Sequence, residues 1–111
     1  MQHVTPPPTD QLAYVIGPYQ DPIAQVEPGE TFRVSTLDAF GNRIDSVDAD
    51  LSEIVRLPYV NPCTGPIYVE GAEPDDTLAV TIGDIRITRE YAVSCIIPEF
   101  GGLCGTPFTR V

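Results

Sequence analysis

The sequence predicts an all-β chain, a β-sandwich or barrel-like domain with one short helix. Three observations carry that expectation. Hydrophobic residues make up 42% of the 111 residues, enough for a core, yet 12 prolines and 9 glycines interrupt the chain every few positions. Long helices do not survive that punctuation. Apolar residues alternate with polar ones in short runs, the period of a half-buried strand, and a turn-plus-strand pattern occurs twice.

Residues 1–11, with Pro6, Pro7 and Pro8 in a row, read as an extended, polyproline-like lead-in outside the core. Residues 12–111 read as a single β-rich domain. Leu12, Tyr14 and Ile16 alternate with Ala13 and Val15, Gly17-Pro18 breaks the run, and Ile23 to Val26 resumes it. The repeated pattern follows. Val26-Glu27-Pro28-Gly29-Glu30-Thr31-Phe32-Arg33-Val34 leads to Asp38, and forty-six positions on Ala72-Glu73-Pro74-Asp75-Asp76-Thr77-Leu78-Ala79-Val80 leads to Asp84. In each copy proline sets φ at the second position of a tight turn and glycine or aspartate follows, Asp75 being tolerable in a type I turn. A strand then starts at the threonine. Phe32 and Val34 share one side of the first strand, and Leu78, Val80 and Ile82 one side of the second. Two copies suit a sandwich or barrel of related halves, although recurrent turn chemistry alone produces the same echo.

Between the copies, Asp50 can cap a short helix with Glu53 as its capping-box partner. Leu51, Ile54 and Val55 fall on one face of it and Pro58 lies beyond its end. Asn61-Pro62-Cys63-Thr64-Gly65-Pro66 is a turn feeding a strand in which Ile67 and Val69 alternate with Tyr68 and Glu70. Residues 85–88 and 91–97 read as further strands, with a bend at Ile82-Gly83-Asp84, and residues 98–111 as a glycine-rich loop.

Sixteen acids face six bases, all of them arginine, for a net charge of −10. Nucleic acid and anionic membrane are repelled by such a surface, so neither is an expected partner. No apolar run approaches the ~20 residues of a membrane span, and the first residues lack the pattern of a secretory signal. Cys63, Cys95 and Cys104 have no metal spacing, and an odd count suits reduced thiols and a cytoplasmic location. Phosphate-binding loops, the GxSxG elbow, HExxH and CxxC are all absent. The single histidine, His3, reads as an idle terminal residue. One imidazole there can neither activate Cys63 nor build a Ser-His-Asp or imidazole-zinc site.

Carboxylates and main-chain amides remain. Asp38, at a strand end before Phe40-Gly41-Asn42, offers oxygens suited to a divalent ion, or simply caps its turn. Glu70 is the sole charge around Pro66–Val69. Burial of its face would suit it to acid–base work, whereas a face shared with Tyr68 and solvent would make it an ordinary surface acid. The turn from Asn61 through Thr64 and Gly65 either presents N–H groups to an oxyanion or is a rigid loop.

Val26 to Thr31, Thr36-Leu37-Asp38-Ala39-Phe40-Gly41 and the long run Asn61 to Pro74 together resemble the N-terminal part of the acetamidase/formamidase family, over about residues 12 to 103. The resemblance implies a β-rich sandwich with barrel character. It also implies a metal-dependent, oligomeric enzyme that hydrolyses small aliphatic or cyclic amides to a carboxylate and ammonia or amine. Family members are several times longer. Their Asp-x-His run and Gly-Asp-Gly-Glu-like stretch lie downstream and have no counterpart here, and Asp75 stands where glycine is usual. The resemblance therefore implies a small subunit, a split half or a proteolytic product of an amidase, completed by a C-terminal amidase chain. In that reading Asp38 is a ligand of a divalent metal, zinc being the expectation. Glu70 and Asn61 position water or substrate, Thr64 and Gly65 contact the amide, and the isolated chain is inactive. The alternative is a non-catalytic β-module that assembles with or regulates an enzyme, with its apolar, glycine-rich stretch from Phe100 to Phe108 as the docking strip.

Overall fold

Strand pairing in this chain is parallel and non-local. The computed structural model describes residues 1–97 and 100–106. In it β1 (His3–Val4) runs beside β3 (Arg33–Val34), and β2 (Ala24–Val26) beside β4 (Ile67–Val69). Parallel neighbours cannot be joined by a two-residue turn, so each pair needs a long crossover. Here the crossovers consist mainly of turns, with a 3₁₀ turn at Thr9–Gln11 and one α-helix, α1 (Leu51–Ile54). The result is a small sheet-containing fold with a short helix. Its strand pairing among the described residues amounts to two separate two-stranded ladders, less than the sandwich or barrel expected.

The chain divides into two compact units, Met1–Val80 and Thr81–Val111. The first holds all the regular structure found among the described residues. Its core is Val4, Leu12, Ala13, Val26 and Ile44, each less than a tenth exposed. Val4 corrects the reading of residues 1–11 as lying outside the core: it is only 4% exposed. The pairing of β1 with β3 turns it inward, with Arg33 N–H donating to Gln2 O and Ser35 N–H to Val4 O, both at 2.9 Å. Ala13 forms an antiparallel bridge with Cys63, and Tyr14 meets the Tyr59 ring edge-to-face at 5.5 Å. The alternation does not extend to Ile16, which is 95% exposed.

The repeated turns match in their hydrogen bonds. Glu30 N–H donates to Glu27 O (3.0 Å) while the Glu30 carboxylate accepts from Glu27 N–H (3.0 Å). Asp76 N–H donates to Glu73 O (3.1 Å) while the Asp76 carboxylate accepts from Glu73 N–H (2.8 Å). Gly29 has φ +82° and Asp75 φ +75°. A positive φ at the third position belongs to a type II turn, not the type I expected at Asp75, and only the glycine adopts it without steric cost. Beyond the turns the copies part. Asp38 closes a loop, whereas Asp84 pairs with Arg86 at 2.6 Å on an exposed surface.

In α1 the Asp50 carboxylate caps as expected, accepting from Ser52 N–H (3.0 Å) and Ser52 Oγ (2.6 Å). The Ser52 hydroxyl and then its amide hold the Asp50 carboxyl below the ordinary aspartate range. Glu53 does not complete a capping box but pairs with Arg56. At the other end Arg43 supplies the missing donor, its guanidinium binding both Phe40 O and Ile54 O.

In the second unit no strand or helix forms among the described residues. The strands expected over 77–82, 85–88 and 91–97 have alternating side chains but no ladder. Alternation prepares a face; it does not provide the neighbouring edge whose N–H and C=O groups make a strand. Of the glycine-rich stretch, Pro98, Glu99 and residues 107–111, including Phe108, lie outside the described residues.

Candidate functional site

Two loops of the first unit are hydrogen-bonded to one another, and they contain four of the five candidate residues. The first leaves β3. Asp38 Oδ1 accepts from Phe40 N–H (2.9 Å) and Asn42 N–H (2.8 Å), and Asn42 Oδ1 accepts from Asp38 N–H (3.0 Å). Gly41 and Asn42 take φ of +68° and +59° to close the loop, conformations that glycine and asparagine tolerate best. Asp38 is thus the organiser of its own turn.

The second loop leads into β4. Asn61, itself at φ +60°, donates its N–H to Ala39 O (2.8 Å) inside the first loop. Thr64 Oγ1 donates to Ser35 O (2.7 Å) at the end of β3. Cys63 N–H is taken by Ala13 O (2.8 Å). Pro62 and Pro66 have no N–H. Thr64 and Gly65 are left with two successive main-chain N–H groups that have no hydrogen-bond partner among the described residues. Both residues are half-buried. Consecutive unpaired amides are the raw material of an anion-binding concavity.

Glu70 is not part of this group. It follows β4, is exposed like Tyr68, and accepts from Gln25 Nε2 at 3.2 Å, a neighbour across the β2–β4 pair. The burial that would suit it to acid–base work is missing. His3, read as idle, is instead engaged: its Nε2 lies 2.7 Å from Ser35 Oγ, beside the carbonyl that Thr64 binds. Sequence reasoning missed His3 and Ser35 because their approach depends on β1 pairing with β3 across some thirty positions, and no local pattern signals that register.

Among the described residues no three His, Cys, Asp or Glu side chains converge, and Asp38 Oδ1 already accepts two main-chain donors. These residues do not fit a divalent-metal centre on their own. The free cysteines are spread over both units, Cys63 and Cys95 half-buried and Cys104 exposed. No helix of the described residues is long and apolar enough to cross a membrane.

Asp38, Asn61, Thr64 and Gly65 thus lie on two loops of the first unit that are hydrogen-bonded to one another. The chain belongs to the acetamidase/formamidase family, whose model matches residues 16–105. Over 65 residues it is 45% identical to the formamidase of Methylophilus methylotrophus, covering 57% of this chain and 16% of that protein. Over 62 residues it is 36% identical to a protein of Schizosaccharomyces pombe named as a formamidase, covering 55% and 15%. The crystal structure of an acetamidase from Yersinia enterocolitica superposes with a TM-score of 0.55 at 39% identity, over 65% of this chain and 22% of that one. The chain therefore spans about a sixth of the curated relatives it matches.

Proposed function

We propose that this chain forms part of an amidohydrolase that cleaves small aliphatic or cyclic amides to a carboxylate and ammonia or amine, the active site being completed by a complementary C-terminal amidase chain. One observation carries the reading: within the stretch matched to the family, the Asn61–Pro66 turn is hydrogen-bonded onto the Asp38 loop and keeps two adjacent amides, Thr64 and Gly65, unpaired. In amide hydrolysis water adds to the carbonyl carbon, the carbonyl oxygen gains negative charge, and the C–N bond breaks as the nitrogen is protonated. Preorganised N–H donors aimed at that oxygen lower the barrier. Thr64 and Gly65 supply them in this reading, and the Asn61 side chain positions the amide.

Asp38 contributes by holding the loop. Any metal donors beyond it belong to the complementary chain, and no step is assigned to a metal on the residues present. Assembly also supplies the neighbouring strands that a sandwich requires. The test is ammonia release from formamide and acetamide. The chain is assayed alone and after co-expression with Methylophilus formamidase lacking the stretch matched here. Turnover is expected only from the mixture, falling at least tenfold with Asp38→Ala and less than twofold with Glu70→Gln. Full turnover by the 111 residues alone refutes the shared site. An active assembly indifferent to Asp38→Ala makes the chain a docking module.

A further inference from the structure

The charge of this chain is divided very unevenly. Residues 1–80 contain thirteen carboxylates and three arginines, and residues 81–111 three of each, so the whole net charge of −10 belongs to the first unit. The neutral unit begins with Thr81-Ile82-Gly83-Asp84-Ile85-Arg86-Ile87-Thr88. Its apolar side chains are presented outward: Ile82 is 74%, Ile85 79% and Ile87 90% exposed. No main-chain N–H or C=O from Thr81 to Thr88 is hydrogen-bonded to another main-chain group among the described residues. Ile85 and Ile87 share a face and Arg86 lies opposite, the composition of a strand packed on one side. An extended, strand-competent stretch with free main-chain groups is a template for pairing with another edge.

We infer that Thr81–Thr88 is a docking strand. It adds by main-chain hydrogen bonding to a sheet edge in the part of the acetamidase/formamidase fold outside the stretch matched here, with Ile85 and Ile87 entering that part's core. The inference rests on the amidase reading above and names the segment through which assembly occurs. Two observations select this occupant over a second copy. The segment lies inside the stretch matched to the family, while five-sixths of each curated relative lies outside what this chain covers. A second copy would bring another body of charge −10 alongside the first, which electrostatic repulsion opposes.

The experiment uses the 111-residue chain and, as probe, Methylophilus formamidase lacking the matched stretch, co-expressed and co-purified. Arg86→Pro and Ile87→Pro each delete one main-chain N–H, on opposite edges of a strand. Ile85→Ser with Ile87→Ser removes the apolar face. Amide exchange of the β2–β4 pair checks that the first unit is intact in each variant. Recovery of the complex should fall at least tenfold for one of the two proline variants and for the double serine variant. Amides of 81–88 should become protected only in the complex. Wild-type recovery with both proline variants overturns strand addition, as does failure of the wild-type chain to bind. A dimer of the chain alone that the same proline abolishes assigns the strand to a second copy and overturns the chosen occupant. A complex that forms as expected but releases no ammonia leaves docking standing and sinks the amidase reading. Ammonia release undiminished by the proline variants does the reverse.

Discussion

The 2.7 Å hydrogen bond from Thr64 Oγ1 to Ser35 O fastens the Asn61–Pro66 turn to the end of β3, and Thr64→Val tests it directly. Valine keeps the β-branch and the rotamer restriction while replacing the donor with a methyl. Two costs follow. A typical intramolecular hydrogen bond contributes about 0.5–1.5 kcal/mol net, and an acceptor left without a partner costs about 1–3 kcal/mol when fully buried. Ser35 and Thr64 are both half-buried, so water reaches the orphaned carbonyl and the loss belongs at the low end, about 1 kcal/mol. That is roughly a fivefold change in the folded-to-unfolded ratio. With a urea dependence of about 1–1.5 kcal/mol per molar, the midpoint should fall by about 0.7–1 M. Exchange of the Asn61 and Ser35 amides should quicken while that of the β2–β4 ladder stays close to wild type. An unchanged midpoint with unchanged loop exchange would refute the idea that this bond holds the two loops together.

Other outcomes follow from single features. Asp75→Gly should raise stability by about 0.5–1 kcal/mol: relief of a left-handed aspartate outweighs the added freedom of glycine in the unfolded chain, and a lower urea midpoint would contradict the turn assignment. For Asp50, the folded-state carboxyl lies below the ordinary aspartate value. The cap therefore stabilises above the unfolded-state value and fades as pH falls through the folded-state value. Amide exchange at Ser52 should accelerate below about pH 4 relative to the rest of the first unit. Asp50→Asn, which caps without ionising, should remove that relative change.

Much of the turn chemistry was legible because it is local. Glu27-Pro28-Gly29-Glu30 and Glu73-Pro74-Asp75-Asp76 announce their bends through residues that restrict their own φ or accept a nearby N–H. The Asp50 cap and the proximity of β4 to its preceding turn are local in the same sense. The contact of Asn61 with Ala39 is not: it joins loops far apart in the sequence, and no local pattern marks it. Glu70 illustrates what periodicity leaves open: alternation places it with Tyr68, but which face meets solvent depends on what covers the sheet. The place of Val4 in the core and of His3 beside Ser35 hangs on a two-residue parallel pairing, for which neither partner carries a signature. The alternation after Val80 shows the converse, a strand-competent sequence that forms no ladder among the described residues.

The lopsided charge has a practical corollary. Repulsion between bodies of like charge acts over about 8 Å at physiological ionic strength and about 3 Å in molar salt. Concentrated electrolyte therefore removes the shield that keeps bare isoleucines of different molecules apart. Self-association of the chain is expected to grow with salt concentration.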